Sequence, residues 1–170
     1  MKKDNWILVV FILTFVLSFI FSAISTLASN INVFILFILL IVIIIIGILF
    51  DMIGVAVLSC AEASFHAKAS NKIKGSKECI KLIKKSNKTS SVCNDVIGDI
   101  CGIISGSIAA SLVVLLFKDS KLASIVVTSC ISSLTVGWKA IGKRIAIKYC
   151  ENIVFAVGKL LNKISFKKVW

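Results

Sequence analysis

The sequence predicts an all-α integral membrane protein, a helical bundle with four spans and amphipathic juxtamembrane helices. Its composition is 58% hydrophobic and its mean hydropathy is +1.03, far above the values of soluble domains. The apolar residues collect in four long runs, and a span needs about 20 residues. Sixteen of the twenty basic residues fall in two segments between or after these runs, from His66 to Lys88 and from Lys139 onward.

The first apolar run extends from Trp6 to Leu27 and follows Lys2 and Lys3. A signal peptide is one interpretation, since small residues follow the run. The run is longer than the apolar region of a usual signal peptide, and a second run begins almost at once. These features favour an uncleaved span, so residues 1–30 are predicted to form an additional N-terminal span.

The second run, Ile31–Leu58, is separated from the first by the dipeptide Ser29-Asn30, which predicts a tight hairpin of antiparallel spans. Asp51 is its only charge and lies either near the cytoplasmic interface or toward the bundle. The polar segment Ser64–Thr89 then contains a predicted amphipathic helix with a basic face, suited to anionic headgroups or to solvent. Its His66, the only histidine, is expected at the surface rather than on a metal.

The third run, Ser90–Phe117, carries Asn94, Asp95 and Asp99 in its first third. Carboxylates within a span are unfavourable and usually face a protein interior or a wet cavity. Either these acids are solvated at the headgroup level, or they supply oxygen ligands for a cation between packed helices.

A stripe of glycines follows the acids at every fourth position, at Gly98, Gly102 and Gly106. Small residues at this spacing allow another helix to approach closely. The stripe predicts helix packing, within one subunit or across a dimer.

The fourth run, Leu122–Val136, reaches the length of a span only if it continues to Trp138. The basic segment that follows contains a predicted amphipathic helix, with an apolar face from Val154 to Ile164 and Trp170 as an interface anchor. Four spans place both termini and the basic loop on the same side. Because basic residues accumulate on the cytoplasmic side, we expect a multi-pass protein of the cell membrane with both termini cytoplasmic.

Two short motifs resemble the transmembrane domain of the CNNM/CorC (CorB-like) family of magnesium transporters. Leu58–Ser64 resembles the F-S-x-x-E-x-A sequence that ends the first core helix of that family, and Ser59 and Glu62 match it. Cys93–Asp99 resembles the G-N-x-x-x-N opening of the next helix. The resemblance covers roughly Ile31 to Leu161, and residues 31–170 are predicted to form a CNNM/CorC-like transmembrane domain without CBS domains.

The sequence departs from the family where the third core helix ends in G-E-x-x-P-K. The nearest match is Trp138–Lys143, in which Lys139 replaces the glutamate, or Trp138 does in a shifted alignment, and Gly142 replaces the proline. A carboxylate near the ion is lost in either alignment, and in the first a cation takes its position.

The resemblance implies a dimeric transporter of divalent cations, Mg²⁺ or Co²⁺, with Na⁺ as the exchanged ion. It places the serine and asparagine ligands of the family on Ser59 and Asn94. Ser59 and Glu62 are three residues apart, as on one helix face, and Asp95 and Asp99 are four apart. Because hydroxyl, amide and carboxylate oxygens suit hexacoordinate Mg²⁺, the predicted metal site is Ser59, Glu62, Asn94, Asp95 and Asp99.

A different class of function is a non-transporting membrane scaffold or regulatory partner that keeps the fold without the ion pathway. In that case Ser59 and Asn94 cap or bridge helices, and the acids offset nearby lysines. No motif for a nucleophile with its base, or for a phosphate-binding loop, predicts an enzyme. The six cysteines form no CxxC pair. The expected partners are the lipid bilayer, a second copy in a homodimer and a separate cytosolic regulatory protein, but no nucleic acid.

Overall fold

The computed structural model of the chain describes residues 8–12, 14–16, 19, 32–116 and 121–166. Residues 8–12 and 14–16 are helical, but most of the predicted first span, Trp6–Leu27, lies outside the described residues. The hairpin at Ser29-Asn30 and the anchor at Trp170 also lie outside them.

From residue 32 onward the described chain is helical with short connections, and these residues form no strand. The helices are α1 (Val33–Ser59), α2 (Ala63–Ser70), α3 (Ser76–Lys84), α4 (Ser86–Ser91), a π-helical segment (Val92–Gly98), α5 (Asp99–Leu116), α6 (Lys121–Lys148) and α7 (Cys150–Phe166). The prediction of an all-α fold is confirmed.

Three stretches of the described helices are long and apolar enough to cross a membrane. They are Val33–Ser59, Ser86–Leu116 and Ser124–Lys148, and they overlap the predicted second, third and fourth runs. The chain is therefore compatible with a membrane protein.

Helix α6 extends well beyond the predicted fourth run, which ended at Val136 or Trp138. The helix continues through the basic residues to Lys148. Lysine, arginine, alanine and isoleucine fill most of this extension, and they are compatible with a helix, while the chain contains no proline that could end it. The change in polarity therefore does not coincide with a helix end.

The chain divides into two compact units, and unit 1 consists of residues 1–48 and 95–138. Its core lies between the first half of α1 and α5. The buried residues are Leu36 and Leu40 of α1, Val96 of the π-helical segment, and Ile100, Ile104, Ile108, Ala109 and Leu112 of α5. Gly47 sets the closest approach, because a Cβ atom there would lie 3.0 Å from Cβ of Cys101.

Two glycines of the predicted stripe, Gly102 and Gly106, do not line this seam. A Cβ atom on Gly102 or Gly106 would have no neighbour within 4 Å among the described residues. Helix α5 packs instead through its larger residues, such as Ile104 and Ile108. Dispersion contacts and apolar burial favour the face with these side chains over a face with almost none.

Unit 2 consists of residues 49–94 and 139–170, and its core is contributed by five helices. The buried residues are Ala56 and Val57 of α1, Cys60 after it, Phe65 of α2, Cys79 of α3, Ala146 of α6 and Val154 of α7. Lys68 Nζ caps this core from outside, 5.0 Å from the ring centroid of Phe65 and 3.2 Å from Glu151 Oε2. This side chain thus combines a cation–π contact with an ion pair.

Helices α3 and α7 approach each other at two glycines. Gly75 has a φ of 94°, which favours glycine, and a Cβ atom there would lie 3.0 Å from the backbone nitrogen of Lys159. A Cβ atom on Gly158 would overlap Sγ of Cys79. The Cys79 thiol donates a hydrogen bond to the carbonyl oxygen of Val154 over 3.4 Å, and burial raises the pKa of this thiol.

The predicted apolar face of the last helix is only partly buried. Val154 is fully buried, whereas Leu160 and Leu161 are exposed, as are Lys159 and Lys163. The first turns of α7 pack against α3, and the face beyond Gly158 carries apolar side chains that the described part of the chain leaves uncovered.

Candidate functional site

A buried ion pair joins α1 to α6 in unit 2. Oδ2 of Asp51 lies 3.2 Å from Nζ of Lys139, and the exposed fractions of the two side chains are 5% and 21%. Asp51 was predicted to lie either near an interface or toward the bundle, and the structure places it in the interior. Since a buried charged group is tolerated only when it is paired, Lys139 supplies the partner that this buried carboxyl group needs.

Asn94 lies against α1, the helix that contains Asp51. A Cβ atom on Gly54 would overlap the Asn94 amide, so the side chain needs a glycine opposite it. The Nδ2 group donates a hydrogen bond to Oγ of Ser90 over 3.1 Å. The amide oxygen is buried and has no hydrogen-bond partner among the described residues.

Asn94 lies within the π-helical segment Val92–Gly98. A π-helical turn inserts an extra residue into a helix, so the residues before and after it are rotated relative to an uninterrupted α-helix. Such segments are frequent at functional sites. Within the stretch Ser86–Leu116, the turn coincides with the polar residues that the sequence singled out.

These two features lie close together along α1. Asp51 and Gly54 are three residues apart and share a face of the helix. The Asp51–Lys139 pair and the Asn94 amide oxygen, which we call the polar patch, are therefore separated by about one helical turn. The patch offers one carboxylate, one amide oxygen and a resident ammonium group.

Glu62 is bound elsewhere in unit 2. Its Oε1 atom lies 2.8 Å from Nε2 of His66 and 3.6 Å from Nζ of Lys84. Helix α1 ends at Ser59 and α2 begins at Ala63. The expectation that Ser59 and Glu62 share a helix face is therefore wrong, because the backbone changes direction between them. Ser59 itself is exposed.

Asp95 and Asp99 belong to unit 1, in the π-helical segment and at the start of α5, and both are exposed. Among the described residues, no group of three His, Cys, Asp or Glu side chains could hold a metal ion. His66, predicted at the surface, is exposed.

The sequence contained one signal for the ion pair, which the predicted ligand set left out. Asp51 is the only charged residue of the second apolar run, and Lys139 is the first basic residue after the fourth. Asp51 precedes the end of α1 by about two turns, and Lys139 precedes the end of α6 by a similar distance. Two isolated opposite charges at a similar distance from the ends of their helices are candidates for an ion pair.

The Cys60 thiol, directly after the end of α1, is buried in the core of unit 2. Burial, and next a hydrogen bond with the Cys150 thiol, raise the pKa of Cys60 to about 12. All six cysteines are free. A thiol that stays protonated is a poor nucleophile and metal ligand, so Cys60 and Cys79 act as small core residues.

No protein-family model, no curated protein and no solved structure matches this chain.

Proposed function

We propose that this chain is a non-transporting membrane scaffold or regulatory partner, whose one buried acidic side chain in the described spans is neutralised by the chain itself. The observation that carries the proposal is the Asp51–Lys139 ion pair. An ammonium group at this distance from the carboxylate occupies the position that a bound cation would take. Binding Mg²⁺ there requires either displacement of Lys139 or close contact between two cations.

The overall charge favours the same conclusion. Unit 2 carries sixteen of the twenty basic residues and only four of the eight acidic residues. Because like charges repel, a strongly positive potential lowers the local concentration of divalent cations. The proposed role of a scaffold or regulatory partner is therefore to bind other molecules in the membrane, and we expect no catalysed reaction.

The proposed architecture has four spans with both termini and the basic segments in the cytoplasm. The three membrane-length helices and the first apolar run, Trp6–Leu27, supply the spans. A homodimer and a separate cytosolic protein remain the proposed partners. The exposed leucines of α7, Leu160 and Leu161, are candidates for such contacts or for the bilayer.

Divalent-cation transport of the CorC type, with Mg²⁺ or Co²⁺ as the cargo and Na⁺ as the exchanged ion, is the second candidate. The buried amide oxygen of Asn94 favours it, since the family that the motifs resemble has an asparagine ligand there. In this alternative Lys139 would leave Asp51 during the cycle, and the ion would bind to Asp51 and Asn94. The exposed Ser59, which belongs to the same unit, would serve its entry.

The two candidates differ in whether the parent, which has the ammonium group of Lys139 beside Asp51, binds Mg²⁺. We expect the purified parent to bind no Mg²⁺ at millimolar concentration, as measured by calorimetry and by thermal stabilisation. Lys139→Met leaves the Asp51 carboxylate unpaired, so added Mg²⁺ should stabilise this variant by mass action. The additional substitution Asn94→Leu should weaken that effect.

The matched control is Lys143→Met, the same substitution one turn further along α6 at an exposed side chain. It should gain no response to Mg²⁺. If the parent itself binds Mg²⁺ and Asp51→Asn abolishes the binding, the transport candidate replaces the scaffold. Mg²⁺ flux into proteoliposomes containing the parent would lead to the same conclusion.

A further inference from the structure

The acidic residues of unit 2 are largely engaged by nearby cations. Asp51 pairs with Lys139, Glu151 with Lys68, and Glu62 with Lys84. The remaining basic residues greatly outnumber Glu78, the fourth acid. Unit 2 therefore presents a large excess of positive charge, which attracts an anionic partner.

The exposed positive charge at the end of α6 is interleaved with exposed apolar side chains. Lys143, Arg144 and Lys148 are exposed, and so are Ile141 and Ile145. Ile141 and Ile145 are one turn apart, and Arg144 and Lys148 form a neighbouring strip one turn long. Ala146, on the opposite side of α6, is fully buried in the core of unit 2. Ile141, Ile145, Arg144 and Lys148 thus face away from that core, and the exposed Lys143 lies on the flank of the helix between Arg144 and Ala146. We call these five residues the α6 terminal surface.

The length of α6 sets the depth of these residues in a bilayer. Its 28 residues span about 42 Å at about 1.5 Å per residue, whereas the hydrocarbon core is about 30 Å thick. A span that enters the hydrocarbon near Ser124 leaves it after about 20 residues, close to Lys143. Arg144, Lys148 and the adjoining Tyr149 then lie at the level of the lipid headgroups.

The surface combines cationic with apolar side chains, and this combination favours a lipid over other anionic partners. A nucleic acid would be bound by the cations but would leave Ile141 and Ile145 in water. A lipid offers both a phosphate for the cations and acyl chains for the isoleucines. Arginine also binds phosphate oxygens through two parallel hydrogen bonds, and Tyr149, which is 48% exposed, is a residue type enriched at this depth.

We propose that the α6 terminal surface binds the phosphate groups of anionic lipids through Lys143, Arg144 and Lys148, with Ile141 and Ile145 against the acyl chains. This interaction is independent of whether the polar patch binds a cation. It fixes the depth of α6 and gives the protein a preference for an anionic leaflet.

The test uses the full chain, purified in a neutral detergent and titrated with short-chain phosphatidylglycerol or phosphatidylcholine while thermal unfolding is followed. The parent should be stabilised by phosphatidylglycerol at much lower concentration than by phosphatidylcholine. The variant Lys143→Gln/Arg144→Gln/Lys148→Gln should bind phosphatidylglycerol roughly tenfold or more weakly, because each cation near anionic headgroups contributes to affinity.

The control variant is Lys2→Gln/Lys3→Gln/Lys118→Gln, which removes the same charge from residues of unit 1. It should keep the preference of the parent. If the parent and the triple α6 variant have the same thermal unfolding midpoint in phosphatidylcholine, the variant is folded. If they differ, the single variants Arg144→Gln and Lys148→Gln are measured, and each should lose affinity several-fold.

Five results would overturn the proposal. Four of them are no preference of the parent for phosphatidylglycerol, an unchanged preference in the folded α6 variants, an equal loss in the control, and equal stabilisation by inorganic phosphate. The last would identify a site for free anions. Tighter binding of a single-stranded oligonucleotide than of phosphatidylglycerol would assign the surface to nucleic acid instead.

Discussion

At two glycine positions of unit 2, the side chain packed opposite determines which residue type fits. Gly54 faces the Asn94 amide, and Gly158 faces the Cys79 thiol. In both cases a small residue on one helix makes room for a functional group on another. The opposite holds for Gly102, where a Cβ atom would have no neighbour within 4 Å in the part of the chain that the structure describes. Identical residue types therefore have different energetic roles at these positions.

Substitution of these glycines by alanine should separate the two roles. Gly158→Ala places a methyl group against Cys79 Sγ and 2.8 Å from the backbone oxygen of Gly75, and the backbone cannot yield easily. We expect a loss of about 1–3 kcal/mol in stability from this overpacking. Thermal unfolding in detergent measures it.

Gly102→Ala is the matched control for that substitution. It adds the same methyl group where no described atom lies within 4 Å, and alanine is favoured over glycine within a helix by about 1 kcal/mol. The variant should be as stable as the parent or more so. A Gly158→Ala protein that unfolds with the parent would mean that α3 and α7 are not in contact at this point.

Two elements differ from what the sequence predicted. Helix α6 is longer than the fourth apolar run, and a π-helical segment lies within the third. The apolar run that predicts the fourth span ends near Trp138, yet α6 is continuous to Lys148. Periodicity and hydropathy report where a helix is apolar, and they do not report where its hydrogen bonds stop. The extension is what brings Lys139 to Asp51 and positions the α6 terminal surface.

Proline at position 140 should test the continuity of α6. Ala140 is exposed and lies one residue after Lys139. Ala140→Pro removes a backbone hydrogen bond and creates a steric clash with the preceding turn, which together destabilise a helix interior by about 3 kcal/mol or more. We expect a lower unfolding midpoint and reduced helix content by circular dichroism.

Ala140→Ser provides the comparison, since it keeps the backbone donor at the same exposed position. It should lower the midpoint only slightly. Equal stability of the proline and serine variants would indicate that the segment after Trp138 is a loop, as the end of the apolar run alone suggests.

At the scale of the whole molecule, the charge distribution is the main argument for the proposed membrane topology. Unit 1 has four basic and four acidic residues, whereas unit 2 has a net charge of +12, the whole net charge of the chain. The positive-inside tendency acts on segments close to span ends, and the basic segments of unit 2 directly adjoin the membrane-length helices. The proposed cytoplasmic location of these segments rests on this asymmetry.

Cysteine labelling in intact cells should test that location. Lys74→Cys, at an exposed turn between α2 and α3, should react with a membrane-impermeant maleimide only after the cells are permeabilised. The exposed Cys130 is replaced by alanine in the same protein so that it does not contribute to the signal.

Asp119→Cys serves as the opposite control, because the four-span topology places residues 117–122 outside. It should react in intact cells. Labelling of position 74 from outside, with position 119 protected, would invert the proposed topology.

Local properties of the sequence determined the helical class, the membrane-length helices and the surface position of His66. Hydropathy and the absence of proline act residue by residue, so a linear pattern is sufficient to predict them. The predicted all-α fold is confirmed for this reason, and three long apolar helices lie where the second, third and fourth runs predicted them.

Only the tertiary structure decided which polar groups meet. Ser59 and Glu62 match a spacing for one helix face, but α1 ends between them. Asp51 and Lys139 are far apart in the chain, and they pair because α1 and α6 pack together in unit 2. Such contacts depend on the choice of packing partners and on the end points of helices, which are non-local properties. The sequence therefore supplied the charged residues of this protein, whereas its packing determined that a lysine, and not an open site, lies beside the buried carboxylate.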